Sequence, residues 1–300
     1  MPAEIDASPP QFSIIIPIYN DWDLLEGCLQ SLAQQTQAPS FEVIVVDDGS
    51  QKSAPEWVRS FNSRVPLTMS RQQHTGIAAA RNCGVQNSRG TILLFTDADC
   101  RLDSSCLSVL NHRISNSPQH KYFQLRLIGD PSSLTGRAEQ LRLLAIQSRA
   151  LLPDGRIRYL NTSGFAIRRS DIHDKEYLFD PAAQRSEDTL FLTALMQKGD
   201  LPLYVDRAVV RHTIQMSLAE CICKDVRVAW LEAETFERIA AIGVQVRMSN
   251  RERIAVLRST WKMSRQASIG RVAWLVLTAR QGLQRLISVL YPYLPFRSNR

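Results

Sequence analysis

Residues 91–100, Thr-Ile-Leu-Leu-Phe-Thr-Asp-Ala-Asp-Cys, constrain this chain more than any other stretch. The apolar run from Ile92 to Phe95, bounded by Gly90 and Thr96, suits a strand buried on both faces, as in a parallel sheet. It ends abruptly in Asp97 and Asp99. Ligands of open α/β sheets sit beyond the carboxyl ends of the strands, so both carboxylates stand at that mouth. Their spacing lets both face one site where the chain leaves the sheet. Two hard oxygen donors there suit Mg²⁺ or Mn²⁺ bridged to phosphates. Two solvated Asp on a surface turn are the plainer alternative, and Asp-x-Asp alone does not separate the two.

The same pattern occurs twice upstream. Residues 12–20 (Phe-Ser-Ile-Ile-Ile-Pro-Ile-Tyr-Asn) form a first buried strand, with Pro17 near its end, where a missing N–H is tolerated. Leu24, Leu25, Cys28, Leu29 and Leu32 then recur at helical spacing after a cap at Asn20 or Asp21. Residues 41–50 are a second strand ending in Asp47-Asp48-Gly49-Ser50. A short helix is expected over 53–61 with Pro55 in its first turn, a weaker strand over 65–70, and an alanine-rich helix over 76–87 carrying Arg81 and Asn82. Strand and helix alternate from residue 12 to about 115, which argues an α/β fold with a parallel sheet flanked by helices on both faces. No G-x-G-x-x-G follows the first strand, so a dinucleotide-binding site is excluded in favour of one built from carboxylates.

Beyond residue 116 the rhythm breaks. Strands are expected over 121–128, 157–160, 165–168 and 201–211, the last leading to His212. A helix over 136–151 places Leu141, Leu144, Ala145 and Ser148 on one face, and Ser186-Glu187-Asp188 caps another. Ser217-Leu218-Ala219-Glu220 is a capping box, so a helix follows to about Ala241 and stops near Gly243.

Charge is unevenly spread. Residues 1–200 hold 20 Lys/Arg against 22 Asp/Glu, whereas residues 201–300 hold 16 against 7. After Gly243 eleven cations face one acid, Glu252. Arg247, Arg251, Arg258, Lys262 and Arg265 fall on one helical stripe beside Ile254, Leu257 and Trp261. Such a stripe is either a solvated helix face or a surface for an anionic membrane, with Trp274, Tyr291 and Tyr293 suited to the interface. Aromatic interleaving of a nucleic-acid-binding kind is missing, so no nucleic-acid partner is expected. The longest clean apolar run here, 272–279, is far shorter than the ~20 residues of a membrane span. The six cysteines make no zinc-type pairing of C-x-x-C units. With no signal-peptide pattern, a cytoplasmic location is expected, either free or peripheral on the inner face of a membrane.

Taken together, these motifs carry a resemblance. Pro17-x-Tyr19-Asn20, Val45-Val46-Asp47-Asp48-Gly49-Ser50, Gly76-x-Ala78-x-Ala80-Arg81-Asn82-x-Gly84, Thr96-Asp97-Ala98-Asp99 and Ser186-Glu187-Asp188 are similar, in that order, to family 2 glycosyltransferases. The resemblance covers about 12–212 and implies a GT-A fold, an inverting mechanism and a nucleotide-sugar donor, UDP-linked in most relatives. It divides the chain into a flexible tail (1–10), a GT-A domain (11–215) and a basic helical appendage (216–300). By position it implies that Asp48 accepts a hydrogen bond from the base, that Pro17 and Tyr19 line the base pocket, and that Arg81 lies on the phosphate side. Asp97 would bind ribose, Asp99 would hold Mn²⁺ or Mg²⁺, and His212 would help close over metal and diphosphate. Asp188 resembles the catalytic base, with Glu187 its neighbour, while Ser163 and Gly164 take the place of the acceptor loop.

The chemistry asks for these groups too. A divalent cation neutralises a diphosphate leaving group, and a carboxylate takes the proton of the attacking hydroxyl. The acceptor implied is a hydroxyl on a glycan or lipid-linked glycan. Processive relatives carry Gln-x-x-Arg-Trp, which this sequence lacks, so transfer of one sugar is expected. A nucleotidyltransferase of related fold is the rival, but it carries a Gly-rich, basic signature after strand one that residues 17–23 do not have. A non-catalytic nucleotide-sugar binder is the third reading, against which the intact Asp97, Asp99, Glu187 and Asp188 stand.

Overall fold

A computed structural model of the chain describes residues 8–172, 177–183, 185–213, 216–241, 250–266 and 269–290. Residues 1–7 of the tail, His173, the helix stop near Gly243, Arg247, Tyr291 and Tyr293 lie outside the described residues. The chain divides into two compact units: Met1–Arg126 with Asn161–Pro181 and Pro202–Val210, and Leu127–Leu160 with Ala182–Leu201 and Arg211–Arg300.

In chain order come β1 (Phe12–Ile18), α1 (Trp22–Ala33), β2 (Phe41–Asp47), α2 (Glu56–Ser60), β3 (Leu67–Arg71) and α3 (Ile77–Gln86). β4 (Ile92–Phe95), β5 (Cys100–Leu102), α4 (Cys106–Ser115), β6 (Tyr122–Gly129) and α5 (Leu134–Ala150) follow. The chain continues through β7 (Phe165–Arg168), α6 (Glu187–Lys198), β8 (Leu203–His212), α7 (Leu218–Ala241), α8 (Asn250–Gln266) and α9 (Arg271–Leu290).

The strands form one sheet in the order β3-β2-β1-β4-β7-β6-β8-β5. β1 runs parallel to β2 and β4, and β2 parallel to β3. β7 is antiparallel to both β4 and β6. Every residue of β1 and β4 is buried, which is why they read as unbroken apolar runs rather than alternations. Register pairs Ile18 with Asp47 and Ile15 with Phe95, so β1, β2 and β4 end at one edge and deliver Tyr19, Asp48 and Asp97 there. α3 lies very close on this sheet: a Cβ on Gly84 would stand 2.4 Å from Ile15 Cγ2. That approach sinks Arg81 and Asn82 into the protein interior.

The second unit is largely helical. Ala138 and Leu141 of α5 form a core with Ile269, Ala273 and Leu277, and Leu144, Met263 and Trp274 pack against it. Gln147, rather than the exposed Ser148, takes the next buried place on α5, exchanging hydrogen bonds with the backbone of Leu127 (2.9 and 2.7 Å). Arg280 of α9 holds Asp225 of α7 through two hydrogen bonds of 2.6 and 2.9 Å, and Gln284 adds a third at 3.0 Å. The capping box forms as expected: Glu220 accepts from the Ser217 N–H (2.7 Å) and Ser217 Oγ from the Glu220 N–H (3.3 Å). Residues 157–160 are not a strand; Ile157 makes a single antiparallel bridge to Leu151. Because α5 runs to Ala150, little extended chain precedes the turn between them for residues 157–160 to pair with. No helix among the described residues is long and apolar enough to cross a membrane.

Candidate active site

Two cross-linked loops close the carboxyl edge of β1 and β2. Asp47, almost fully buried, accepts from the Ser50 N–H (2.8 Å) and pairs with Arg71 (3.3 Å), so it caps its own loop. Asn20, at φ 65°, ties the loop after β1 to this one: its N–H donates to Ser50 Oγ (2.9 Å) and its Oδ1 accepts from the Gln51 N–H (2.8 Å).

Asp48 is also buried, and its carboxylate gathers the stretch between β3 and α3. Oδ1 accepts from Gln72 Nε2 (2.8 Å) and the Thr75 N–H (3.0 Å), and Oδ2 from the Gly76 N–H (2.9 Å). His74 Nδ1 lies 2.8 Å from Oδ2. The His74 ring stacks on Tyr19, with centroids 4.1 Å apart and planes inclined by 19°. Tyr19 is exposed, whereas Pro17, paired in register with Val46, is buried within β1. The same segment must pass close to Gly49, whose φ is +78° and whose missing Cβ would lie 2.7 Å from the His74 nitrogen. Gln72, His74 and Thr75 were not singled out in the sequence as members of this cluster. Their one signal is position, as polar residues running straight into the Gly76-x-Ala78-x-Ala80 motif.

A second cluster stands beyond β4. Arg81 is 1% exposed and donates from Nη2 to Asp97 Oδ1 at 2.7 Å. Asp97 Oδ2 accepts from Ser163 Oγ at 2.6 Å. Ser163 and Gly164 belong to a 3₁₀ turn held from behind by the fully buried Gln124, whose Nε2 donates to the Gly164 carbonyl (3.0 Å) and whose Oε1 accepts from the Asn161 N–H (2.8 Å). Asn82, beside Arg81, is not a helix-surface residue. Its Nδ2 donates to the Phe179 carbonyl (2.7 Å), and its Oδ1 accepts from the N–H groups of Leu178 (3.1 Å) and Phe179 (2.9 Å).

Asp97, Asp99 and Cys100 bring possible ligand atoms within 4.8 Å of one another. Burial, then the charges of Asp99 and Asp97, push the Cys100 thiol well above its ordinary range, so it stays protonated. Among the described residues of this group that leaves carboxylate oxygens, those of Asp97 already bonded to Arg81 and Ser163 and that of Asp99 the one to offer Mg²⁺ or Mn²⁺, completed by substrate phosphates and water.

The remaining expected residues belong to the second unit. Asp188 lies in the first turn of α6, where its Oδ1 accepts from the Thr189 N–H (2.6 Å) and hydroxyl (3.2 Å). Ser186 precedes it in the left-handed conformation, φ 59°, and Glu187 is buried. His212 closes β8, its carbonyl accepting from the Asp130 N–H (3.2 Å). Glu139 of α5 lies in the same electrostatic neighbourhood. Burial alone would raise its pKa, but the charge and hydrogen bonds of Arg142, followed by His212 and Arg280, lower it from 4.5 to about 2.

The model of the family described as glycosyl transferase family 2 matches residues 13–176. The chain belongs to that family. This glycosyltransferase-family chain is 40% identical over 95 residues to glycosyltransferase AglE of Haloferax volcanii, a match covering 30% of this chain and 31% of AglE. It is 28% identical over 199 residues to the minor teichoic acid biosynthesis protein GgaA of Bacillus subtilis, covering 62% of this chain and 43% of GgaA. The matches thus span less than half of these relatives' lengths. Among solved structures, mannosyltransferase PcManGT of Pyrobaculum calidifontis, in complex with GDP-Man and Mn²⁺, superposes with a TM-score of 0.64 at 17% identity, over 96% of this chain and 88% of that one. S. aureus TarS 1-349 in complex with UDP-GlcNAc gives 0.52 at 16% identity, over 94% and 92%. At such identities the likeness is one of fold. The expected α/β GT-A fold with a C-terminal helical part is the fold found.

Proposed function

We propose that this chain is an inverting glycosyltransferase that moves one sugar from a nucleotide-diphosphate sugar to an acceptor hydroxyl. The observation that carries the reading is the Asp97/Asp99 pair at the carboxyl end of β4, within the segment matched by the family model. In this reading 11–215 is the transferase domain, and 216–300 the appendage. The donor is a UDP-sugar or a related nucleotide sugar, as the UDP-GlcNAc and GDP-Man held by TarS and PcManGT support. The acceptor is a glycan or lipid-linked glycan, met at the inner face of a membrane from the cytoplasm.

Asp99 would hold Mg²⁺ or Mn²⁺, which when bound supplies positive charge to the leaving diphosphate. Asp97, fixed by Arg81 and Ser163, presents a rigid carboxylate edge to the ribose, and Arg81 sets the positive side of that edge. Tyr19 offers an exposed ring for the base beside Asp48. Asp188 removes the proton of the acceptor hydroxyl as that oxygen attacks the anomeric carbon. Two donors from Thr189 keep its carboxylate oriented at the start of α6.

Release of nucleoside diphosphate from a panel of nucleotide sugars, with Mn²⁺ or Mg²⁺, tests this. Metal-dependent release from one donor is expected, and Asp188→Asn should lower it by roughly 10²–10⁴-fold while donor binding stays near wild type. Asp99→Ala should instead weaken metal-dependent donor binding. If no nucleotide sugar binds, or if Asp188→Asn turns over at the wild-type rate, the reading is wrong.

A further inference from the structure

α9 is apolar on two opposite sides. Ala273 and Leu277 enter the helical core, and Arg280 and Gln284 reach Asp225 of α7. On the other side Val272, Leu275, Ala279, Gly282, Leu286 and Val289 recur in steps of three and four residues, the spacing of a continuous helical stripe. Val272, Leu275 and Leu286 are each more than half exposed, and Val289 and Leu290 nearly so. At ~1.5 Å per residue the stripe from Val272 to Val289 is about 26 Å long. Stripes of that extent on one helix mark an interaction surface rather than scattered surface residues.

The neighbouring α8 has a different outward face. Arg251, Arg258, Lys262 and Arg265 are exposed there, with Ile254 and Trp261 among them. Leu257 is half-buried, and its backbone carbonyl accepts from Trp274 Nε1 (3.3 Å). The outward face of α8 reaches the start of α9: the exposed Arg271 guanidinium stands 5.7 Å over the Trp261 ring, whose edge also meets Trp274 (4.9 Å), itself packed on the helical core. A cationic helix face thus continues through a tryptophan into an aliphatic one.

We infer that this joined surface docks on an anionic phospholipid bilayer, α9 lying in the interface with its aliphatic stripe among the acyl chains and α8 setting its cations on the headgroups. Charge chooses the partner. A second copy of this chain would bring the same cations against these ones, which like-charge repulsion opposes, whereas anionic headgroups complement them. An interfacial helix of this kind needs an apolar face and flanking Lys, Arg and Trp, which α8 and α9 supply between them. The inference deepens the proposed function by naming the surface that meets the membrane, and its test does not depend on sugar transfer.

The test is flotation of the full chain with vesicles of phosphatidylcholine, with and without phosphatidylglycerol. Two variants alter only exposed side chains, Leu275→Gln/Leu286→Gln and Arg258→Glu/Lys262→Glu, and circular dichroism melts check that both fold as the wild type does. Wild type should float with anionic vesicles at least about tenfold better than with neutral ones. Each variant should lose about tenfold or more. Flotation indifferent to phosphatidylglycerol, or undiminished in Leu275→Gln/Leu286→Gln, would overturn the inference. So would light scattering that finds a wild-type dimer made monomeric by that variant, since the stripe would then join two copies. Loss of nucleotide-sugar binding would sink the transferase reading and leave this result standing.

Discussion

Asn82→Ala separates a structural from a nucleotide-binding role for the residue that follows Arg81. Asn82 is 8% exposed and makes three hydrogen bonds to the backbone of residues 178–179. Phe179, fully buried, also packs edge-on against Phe95 at 5.1 Å, so the segment that Asn82 holds reaches the core beside β4. Alanine takes a partner from the buried N–H and carbonyl of Phe179 and from the part-buried N–H of Leu178. At about 1 kcal/mol or more for each group losing its bond, the loss is about 3 kcal/mol, before any contribution from the small cavity. For a chain of this size that corresponds to a fall in melting temperature of roughly 6–12 °C. The assay is thermal unfolding by circular dichroism, paired with titration of the donor nucleotide well below the melting temperature. The expected result is a large fall in melting temperature with donor affinity within about threefold of wild type. A variant that melts within about 2 °C of wild type, or one that keeps its stability and loses the donor, would refute the reasoning.

Glu139, held near a pKa of 2 against an ordinary 4.5, contributes stability that is complete above the ordinary value and lost as pH falls toward 2. Melting temperature should therefore fall across that window, and Glu139→Gln should flatten this part of the profile. Gly49→Ala forces a left-handed alanine against the His74 backbone, 2.7 Å from its nitrogen. It should cost roughly 2 kcal/mol in urea unfolding and weaken donor binding, because the loop it displaces is the one anchored on Asp48.

The parallel half of the sheet was legible because β1, β2 and β4 are buried on both faces and their sequences show it without reference to anything distant. The capping box at Ser217 was legible for a similar reason, since both of its hydrogen bonds lie within four residues. What the sequence hid was set by partners far along the chain. Three-residue β5, directly after Asp99, has too few side chains to carry a pattern. The antiparallel placement of β7 between β4 and β6 joins segments more than 35 residues apart, and no local propensity encodes it. His74 has no local motif to mark it, and only the fold brings it onto Tyr19 and Asp48. On α9 the interrupting arginines obscured the outward stripe, yet Arg280 turns inward to Asp225 and leaves the aliphatic positions continuous.

An ionised carboxylate accepts about four hydrogen bonds, and residues 72–76 already direct that many at Asp48. A nucleobase offering an N–H to Asp48 would exchange one bond for another instead of adding one. His74, more than half exposed, is the partner best able to swing aside, and its departure would uncover the face of Tyr19. On the proposed function, with the base at Tyr19 and Asp48, the protein would then carry an internal rival for that place, one that stacks and bonds as the base would. Base affinity under that arrangement follows the difference between two ligands of similar kind, so it is set as much by how tightly residues 72–76 hold on as by the base itself.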